Sequence, residues 1–268
     1  MTEEIRGLLA RGITLLEAAN YAAAEEIFRE CLNKDPQDAE GYFYLGEVLS
    51  ELHRLEEAVG IMEAGLKLKP EDDDAWTSLG DIYFESGRHK DALASYRRVT
   101  ELMPQDADAY VNIGLVYNAL ERTDDAIRAF NTALEIDPEN AFAHSSLGDA
   151  WYGLGDRDKA IAAYRKGIEI DPEDATAHFN LGDLYYDLGE LDEAERECRE
   201  AVRLDPTFTL SYLTLGNICL DQERIKDAAH WFRQYLQNET SPQAAEMVDE
   251  VKAVLEGLKA ELEEGRDS

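Results

Sequence analysis

An all-α solenoid of seven tandem helix-turn-helix units, closed at its C-terminal end by one further helix, is the fold class that this 268-residue sequence predicts. Three registers predict it. Glycine recurs every 34 residues, at Gly12, Gly46, Gly80, Gly114, Gly148, Gly182 and Gly216. Alanine follows each glycine twelve residues later, from Ala24 to Ala228, and proline closes six units from Pro36 to Pro206. One interval held by three residue types marks a single supersecondary unit copied in tandem.

The units run 5–38, 39–72, 73–106, 107–140, 141–174, 175–208 and 209–240. In the sixth, ATAHFNLGDLYYDLGELDEAERECREAVRLDPTF, apolar residues fall at helical spacing in two segments split by a Leu-Gly-Glu-Leu turn. Two antiparallel helices follow. Glycine at the eighth place and alanine at the twentieth are small so that the paired helices approach closely. Proline ends the second helix, and Asp38, Asp72, Asp106, Asn140 and Asp174 stand ready to cap the next first helix by accepting from its free amides. The fourth place, Leu8, Tyr42, Trp76, Tyr110, His144, His178 and Tyr212, fills the seam. No unit buries that face alone, so its neighbours must.

Residues 241–268 form the closing element. Ser241 and Pro242 signal a helix start, and Val248, Val251, Leu255, Leu258 and Leu262 step along one face at three and four residues. The expectation is a helix that caps the last repeat, followed by a frayed tail from Glu263 to Ser268. A helix offered to a partner is the alternative.

The pattern of aromatic, Leu, Gly, aromatic, Ala, aromatic, small residue and Pro resembles the tetratricopeptide repeat family, and NLGDLYYDLGELDEA and NTALEIDPEN lie close to its consensus. The resemblance covers residues 5 to about 240 and implies a right-handed superhelix. Departures sit at Arg11 in place of Leu, Cys198 in place of an aromatic and Thr240 in place of Pro.

Several function classes are excluded. No HExxH, paired CxxC, calcium-loop, GxxxxGK[ST], GxGxxG or GxSxG pattern occurs, so neither an enzyme, a metal site nor a bound cofactor is expected. His144 and His178 share a seam register and are expected in the core. Cys31, Cys198 and Cys219 occupy core places and are expected as free buried thiols. No apolar stretch approaches the roughly 20 residues of a membrane helix, and the start MTEEIRGLLARG carries no signal-peptide core, so a cytoplasmic location is expected. A net charge of -32 makes nucleic acid an unsuitable partner.

The family resemblance implies that the second, fifth, ninth, twelfth and thirteenth places of each first helix line a concave groove. Here they hold twelve acids and one base, Arg6. Among the acids are Glu47, Asp81, Asp149 and Asp183 at the ninth place. Between them stand Phe43, Phe84, Tyr152, Phe179, Tyr186 and Leu213, while Asn112 and Asn180 resemble the asparagines with which family members hold a peptide backbone. Buried aromatics outweigh exposed ion pairs, about 1.5 to 3 against 0.2 to 1 kcal/mol, so the aromatics should set affinity and the acids select and steer. The family's clamp for acidic chaperone tails is disfavoured, since the fifth place is never Lys. Arg29, Arg97, Arg165, Arg199 and Arg233 recur at the twenty-fifth place, with Glu63 and Asn131 as exceptions; Arg97 with Glu101 and Arg165 with Glu169 have i, i+4 spacing for surface pairs.

The expected function is a non-catalytic adaptor whose acidic, aromatic-lined groove holds a basic protein segment. Two alternatives stay open: a self-associating assembly protein, and the regulatory subunit of a separately encoded enzyme. A homodimer would use the apolar first helix, where Leu9, Ile13 and Leu16 occupy groove places, or the C-terminal helix.

Overall fold

The computed structural model describes residues 2–264, and side chains through residue 260. The side chain of Leu262 and the tail from residue 265 lie outside them. All regular structure among the described residues is helical, 81% of the chain, and the helices fall into two compact units, residues 1–138 and 139–268.

The first unit holds α1 (Glu3–Glu17), α2 (Tyr21–Lys34), α3 (Ala39–Glu51), α4 (Leu55–Leu68), α5 (Asp73–Glu85), α6 (His89–Leu102), α7 (Ala107–Ala119) and α8 (Thr123–Ile136). The second holds α9 (Ala141–Gly153), α10 (Arg157–Ile170), α11 (Ala175–Asp187), α12 (Leu191–Leu204), α13 (Thr209–Asp221), α14 (Ile225–Asn238), a 3-10 turn over Pro242–Ala244 and α15 (Ala245–Glu264). Odd and even helices pair as hairpins, and within each unit the second helix of one hairpin packs on the first of the next.

The small-residue registers have a direct cause. A Cβ built on Gly80 would sit 2.5 Å from the Tyr96 ring, and one on Gly182 would sit 2.7 Å from Cys198 Sγ. Every register glycine faces a side chain at the twenty-fourth place in this way: Phe28, Met62, Tyr96, Phe130, Tyr164, Cys198 and Phe232. The alanines from Ala24 to Ala228 are wholly buried between the same helices. Tight hairpins also need a left-handed residue after each first helix. Ala19, His53, Gly87, Glu121, Gly155, Gly189 and Glu223 all have positive φ, and at the first of these turns Asn20 N–H reaches Leu15 O at 2.8 Å.

Asp72, Asp106, Asn140 and Asp174 cap the helices that follow them. Asp38 does not: it is buried at the start of α3, makes no capping bond and leaves Oδ2 without a partner. The fourth place has a polar task beside its packing. Tyr42 Oη and Trp76 Nε1 donate to the carbonyls of Pro36 and Pro70 in the first unit, at 3.4 and 3.0 Å. In the second unit Tyr212 Oη donates to Pro206 at 3.0 Å, and His178 Nε2 lies 3.3 Å from the Pro172 carbonyl. An apolar ring with a donor at its tip meets both demands.

One surface expectation is corrected. Arg97 and Arg165 do not pair with Glu101 and Glu169; they turn to the hydroxyls of Tyr117 and Tyr185 on the next first helix. Glu101 and Glu169 pair instead with Arg98 and Lys166, at 2.8 and 3.0 Å. A buried tyrosine one helix away offers its hydroxyl as an acceptor, which a guanidinium satisfies while its stem covers the ring.

At the C-terminal end, Val251, Leu255 and Leu258 of α15 join Tyr212, Cys219, Phe232 and Tyr235 in one buried cluster. All three cysteines are free and buried, and burial pushes the Cys198 thiol up to about 12.

Candidate peptide-binding surface

In the first unit the groove places of α1, α3 and α5 line two adjoining depressions. One, of about 280 Å³, is walled by Glu40, Phe43, Tyr44, Glu47, Asp74 and Ser78; the other, of about 350 Å³, by Leu16, Glu47, Ser50, Glu51, Ser78 and Asp81. Glu47 stands between them, half-buried and without a basic partner among the described residues. Removal from bulk water, and then the nearby Asp74 and Glu51 carboxylates, raise its pKa above the usual carboxylate range. The one base on this lining, Lys69, is held by Asp72 at 2.7 Å.

Asp81 is handled differently. Its Oδ1 accepts the Tyr96 hydroxyl at 2.6 Å, and although desolvation still raises its carboxyl, the phenol beneath it opposes that shift. Phe84 is half-buried with its ring centroid 5.5 Å from His89, and Asn112 is half-buried with no side-chain hydrogen bond among the described residues.

Two expected surface residues of this unit are corrected. Phe43 is only 8% exposed, because Gly65 on α4 lets α3 come so close that the ring fills the gap between them. It is part of the core and only edges the depression. Leu9 is 5% exposed and so is covered within the single chain, while Ile13 and Leu16 are half-buried. Of the three residues expected at a dimer contact, Leu9 is thus withdrawn from the surface. Its neighbour α3, reached across the hairpin, packs on α1 as well as on α2.

In the second unit the acids again divide. Asp149 accepts the Tyr164 hydroxyl at 2.6 Å and the Asn180 amide at 3.1 Å, so Asn180 orients an acid rather than standing free for a peptide backbone. Asp183 has neither donor: the place beneath it is Cys198, and burial followed by the Asp187 charge raises its carboxyl. Tyr152 donates to Asp187, which with burial pushes its phenol up to about 12; for Tyr186 burial first, and then the nearby Asp221 carboxylate, push the phenol up to about 12. Phe179 packs against Phe208 with centroids 5.0 Å apart, and Leu213 is half-buried. The open apolar groups are at the second place, Phe142 at 56% and Leu210 at 50% exposure.

The sequence therefore locates the acids but not their division. Asp81 and Asp149 are underpinned by tyrosines, whereas Glu47 over Met62 and Asp183 over Cys198 are not. Leu115, over Phe130, closes the logic: a ring without a hydroxyl carries no acid above it. The signal was present in the joint identity of the ninth and twenty-fourth places, one of which reads as pure core. No group of His, Cys, Asp or Glu among the described residues is arranged to hold a metal ion, and no described helix is long and apolar enough to cross a membrane.

Family models described as tetratricopeptide repeat match residues 15–82, 107–140 and 175–208, and one described as TPR repeat matches 80–120 and 149–189. No curated protein matches the chain. Among solved structures, a tetratricopeptide repeat protein from Parabacteroides merdae superposes with a TM-score of 0.73 at 19% identity, covering 96% of this chain and 100% of that one. The MamA protein of Desulfovibrio magneticus RS-1, from residue 41 to its end, gives 0.60 at 25% identity over 65% of this chain and 98% of that one. YrrB, described as a TPR protein with an unusual peptide-binding site, gives 0.52 at 22% identity over 69% and 95%.

Proposed function

Since this chain belongs to the tetratricopeptide repeat family, whose repeats support a protein-interaction scaffold, we propose that it is a non-catalytic, cytoplasmic adaptor whose acidic first-helix wall holds a basic segment of a partner protein. The observation that carries this reading is that a half-buried acid in each unit, Glu47 in the first and Asp183 in the second, meets no hydroxyl or cation among the described residues. A carboxylate kept out of water without a partner is unfavourable, and a guest ammonium or guanidinium removes that penalty. The half-buried Phe84 and Phe179 and the exposed Phe142 and Leu210 supply apolar contact beside the acids. Acids steer such a guest and rings retain it.

Calorimetric titration with Lys- and Arg-rich peptides bearing one aromatic residue tests the reading. Binding should weaken as salt is added, and acidic peptides of equal length should not bind. Retention of acidic peptides, or binding indifferent to salt, would overturn it.

A further inference from the structure

The first unit has a third and larger cavity, about 510 Å³, between α4, α5 and α6. Leu66, Trp76, Leu79 and Tyr83 give it apolar and aromatic walls, and Ala94 and Ser95 form its small-residue side. The walls are fixed in place. Trp76 Nε1 is bonded to the Pro70 carbonyl at 3.0 Å, Tyr83 Oη to Glu63 at 2.8 Å, and the Arg88 guanidinium lies 4.4 Å from the Tyr83 ring centre. A rigid, mostly apolar hollow of this size with a few polar groups at its edge is in the range of small-molecule sites.

The second unit shows what the same place takes elsewhere in the chain. Ser95 occupies the twenty-third place of its repeat, and the residue in register in the last repeat is Trp231. The Trp231 indole lies 6.1 Å from Tyr212, the counterpart of Trp76, with Arg199 5.5 Å from its ring centre. In the sixth repeat the same two places hold His178 and Glu197, joined at 2.8 Å. In the third repeat the serine leaves open the space that an indole fills in the seventh.

The charges at the rim are also reversed there. The third and fifth repeats carry Arg then Glu at the twenty-fifth and twenty-ninth places, Arg97 with Glu101 and Arg165 with Glu169; the second carries Glu63 then Lys67. Both line the cavity, and neither has an ion-pair partner among the described residues. The remaining charge on the lining, Asp91, is held by Arg88 at 2.8 Å. Glu63 and Lys67 are one helical turn apart, with about 5 to 6 Å between Cβ atoms. Two side chains rooted that close together can converge on the ammonium and the carboxylate that one carbon carries.

We propose that this cavity binds a free α-amino acid with an aromatic or large apolar side chain: the side chain enters between Trp76 and Tyr83 over Ser95, the ammonium meets Glu63 and the carboxylate meets Lys67. A peptide terminus brings only one of the two charges and fits the rim less well. The site is separate from the acidic wall, and its occupancy is independent of whether that wall binds a basic segment.

Isothermal titration of the full chain with L-phenylalanine, phenethylammonium and 3-phenylpropionate tests the proposal. L-phenylalanine should bind up to about fivefold more tightly than either one-charge analogue, since an ion contact at an exposed rim is worth up to about 1 kcal/mol. Glu63→Gln should reduce the affinity for L-phenylalanine up to about fivefold and leave 3-phenylpropionate unchanged, and Lys67→Gln should reduce it likewise and leave phenethylammonium unchanged. Both changes lie on the exposed rim, so folding, checked by circular dichroism, is retained. Ser95→Trp should abolish binding by filling the hollow as Trp231 does in the last repeat. Absence of L-phenylalanine binding to the wild type, equal binding of all three compounds, or binding indifferent to Glu63→Gln and Lys67→Gln would overturn the assignment.

Discussion

Tyr164 places its hydroxyl 2.6 Å from Asp149 and so holds that carboxyl from beneath. The same relation joins Tyr96 to Asp81 in the first unit. Removing the hydroxyl leaves the ring's packing intact and the acid short of one donor. Tyr164→Phe should therefore destabilise the protein by about 1 to 2 kcal/mol in urea denaturation and raise the Asp149 carboxyl further, as read from its carbon chemical shift against pH. An unchanged titration would mean that the hydroxyl does not hold the acid.

The acids without such support should trade stability against binding. Glu47 and Asp183 have folded pKa values raised above their ordinary values of 4.5 and 3.8. A raised carboxyl contributes stability below its unfolded pKa and loses it as pH climbs through the folded one. At pH 7 each is therefore a net cost. Glu47→Gln and Asp183→Asn should stabilise the chain at neutral pH, by up to about 1 kcal/mol each, with the gain disappearing on acidification below about pH 4. Urea melts at two pH values decide this.

His178 behaves in the opposite chemical sense. Both ring nitrogens face acceptors, Glu197 at 2.8 Å and the Pro172 carbonyl at 3.3 Å, so the pair favours the imidazolium and its pKa lies above the ordinary 6.5, the Glu197 hydrogen bond being the main cause and burial opposing it. The stabilisation is complete below about pH 6.5 and is lost as pH rises through the folded value. Glu197 is held below 4.5 by His178 and Arg196 against its own burial, so its share disappears on acidification. Wild type should lose about 1 kcal/mol more than Glu197→Gln between pH 6 and pH 9. Parallel curves for the two proteins would contradict the pairing.

The hairpin turns offer a backbone test. Glu121 has φ 57° at a place where Gly87, Gly155 and Gly189 have φ 72°, 76° and 74°. Left-handed backbone costs a side-chain-bearing residue about 1 to 2 kcal/mol, of which glycine's greater unfolded entropy returns about half. Glu121→Gly should thus stabilise by about 0.5 to 1 kcal/mol, and Gly155→Ala should destabilise by a similar amount. In the hairpin core, Ala126→Leu should cost about 1 to 3 kcal/mol, since Ala126 is wholly buried between α7 and α8.

The helices, their pairing and their small-residue contacts were legible because each depends on one place in the repeat: Gly80 is small because Tyr96 is there. The closing helix was legible from Val251, Leu255 and Leu258. Relations between repeats were not. Arg97 looks like a partner for Glu101 on one helix, and only the next helix reveals the Tyr117 hydroxyl. Phe43 looks like a groove anchor until Gly65, at a place where only the fifth repeat also has glycine, draws it inward. Leu9 looks exposed because a first repeat has no outer neighbour, yet its own hairpin and α3 cover it.

The central claim is that the unsupported acids are the ones a basic guest satisfies, and its most direct measurement is a calorimetric comparison of four proteins. A Lys- and Arg-rich peptide with an aromatic anchor is titrated into wild type, Glu47→Gln, Asp183→Asn and Asp81→Asn at low and at physiological salt. The account predicts that at least one of Glu47→Gln and Asp183→Asn loses about tenfold in affinity and part of the salt dependence. Asp81→Asn, whose carboxyl already holds a tyrosine, should lose much less. Equal losses at all three positions, or none at Glu47 and Asp183, would contradict it.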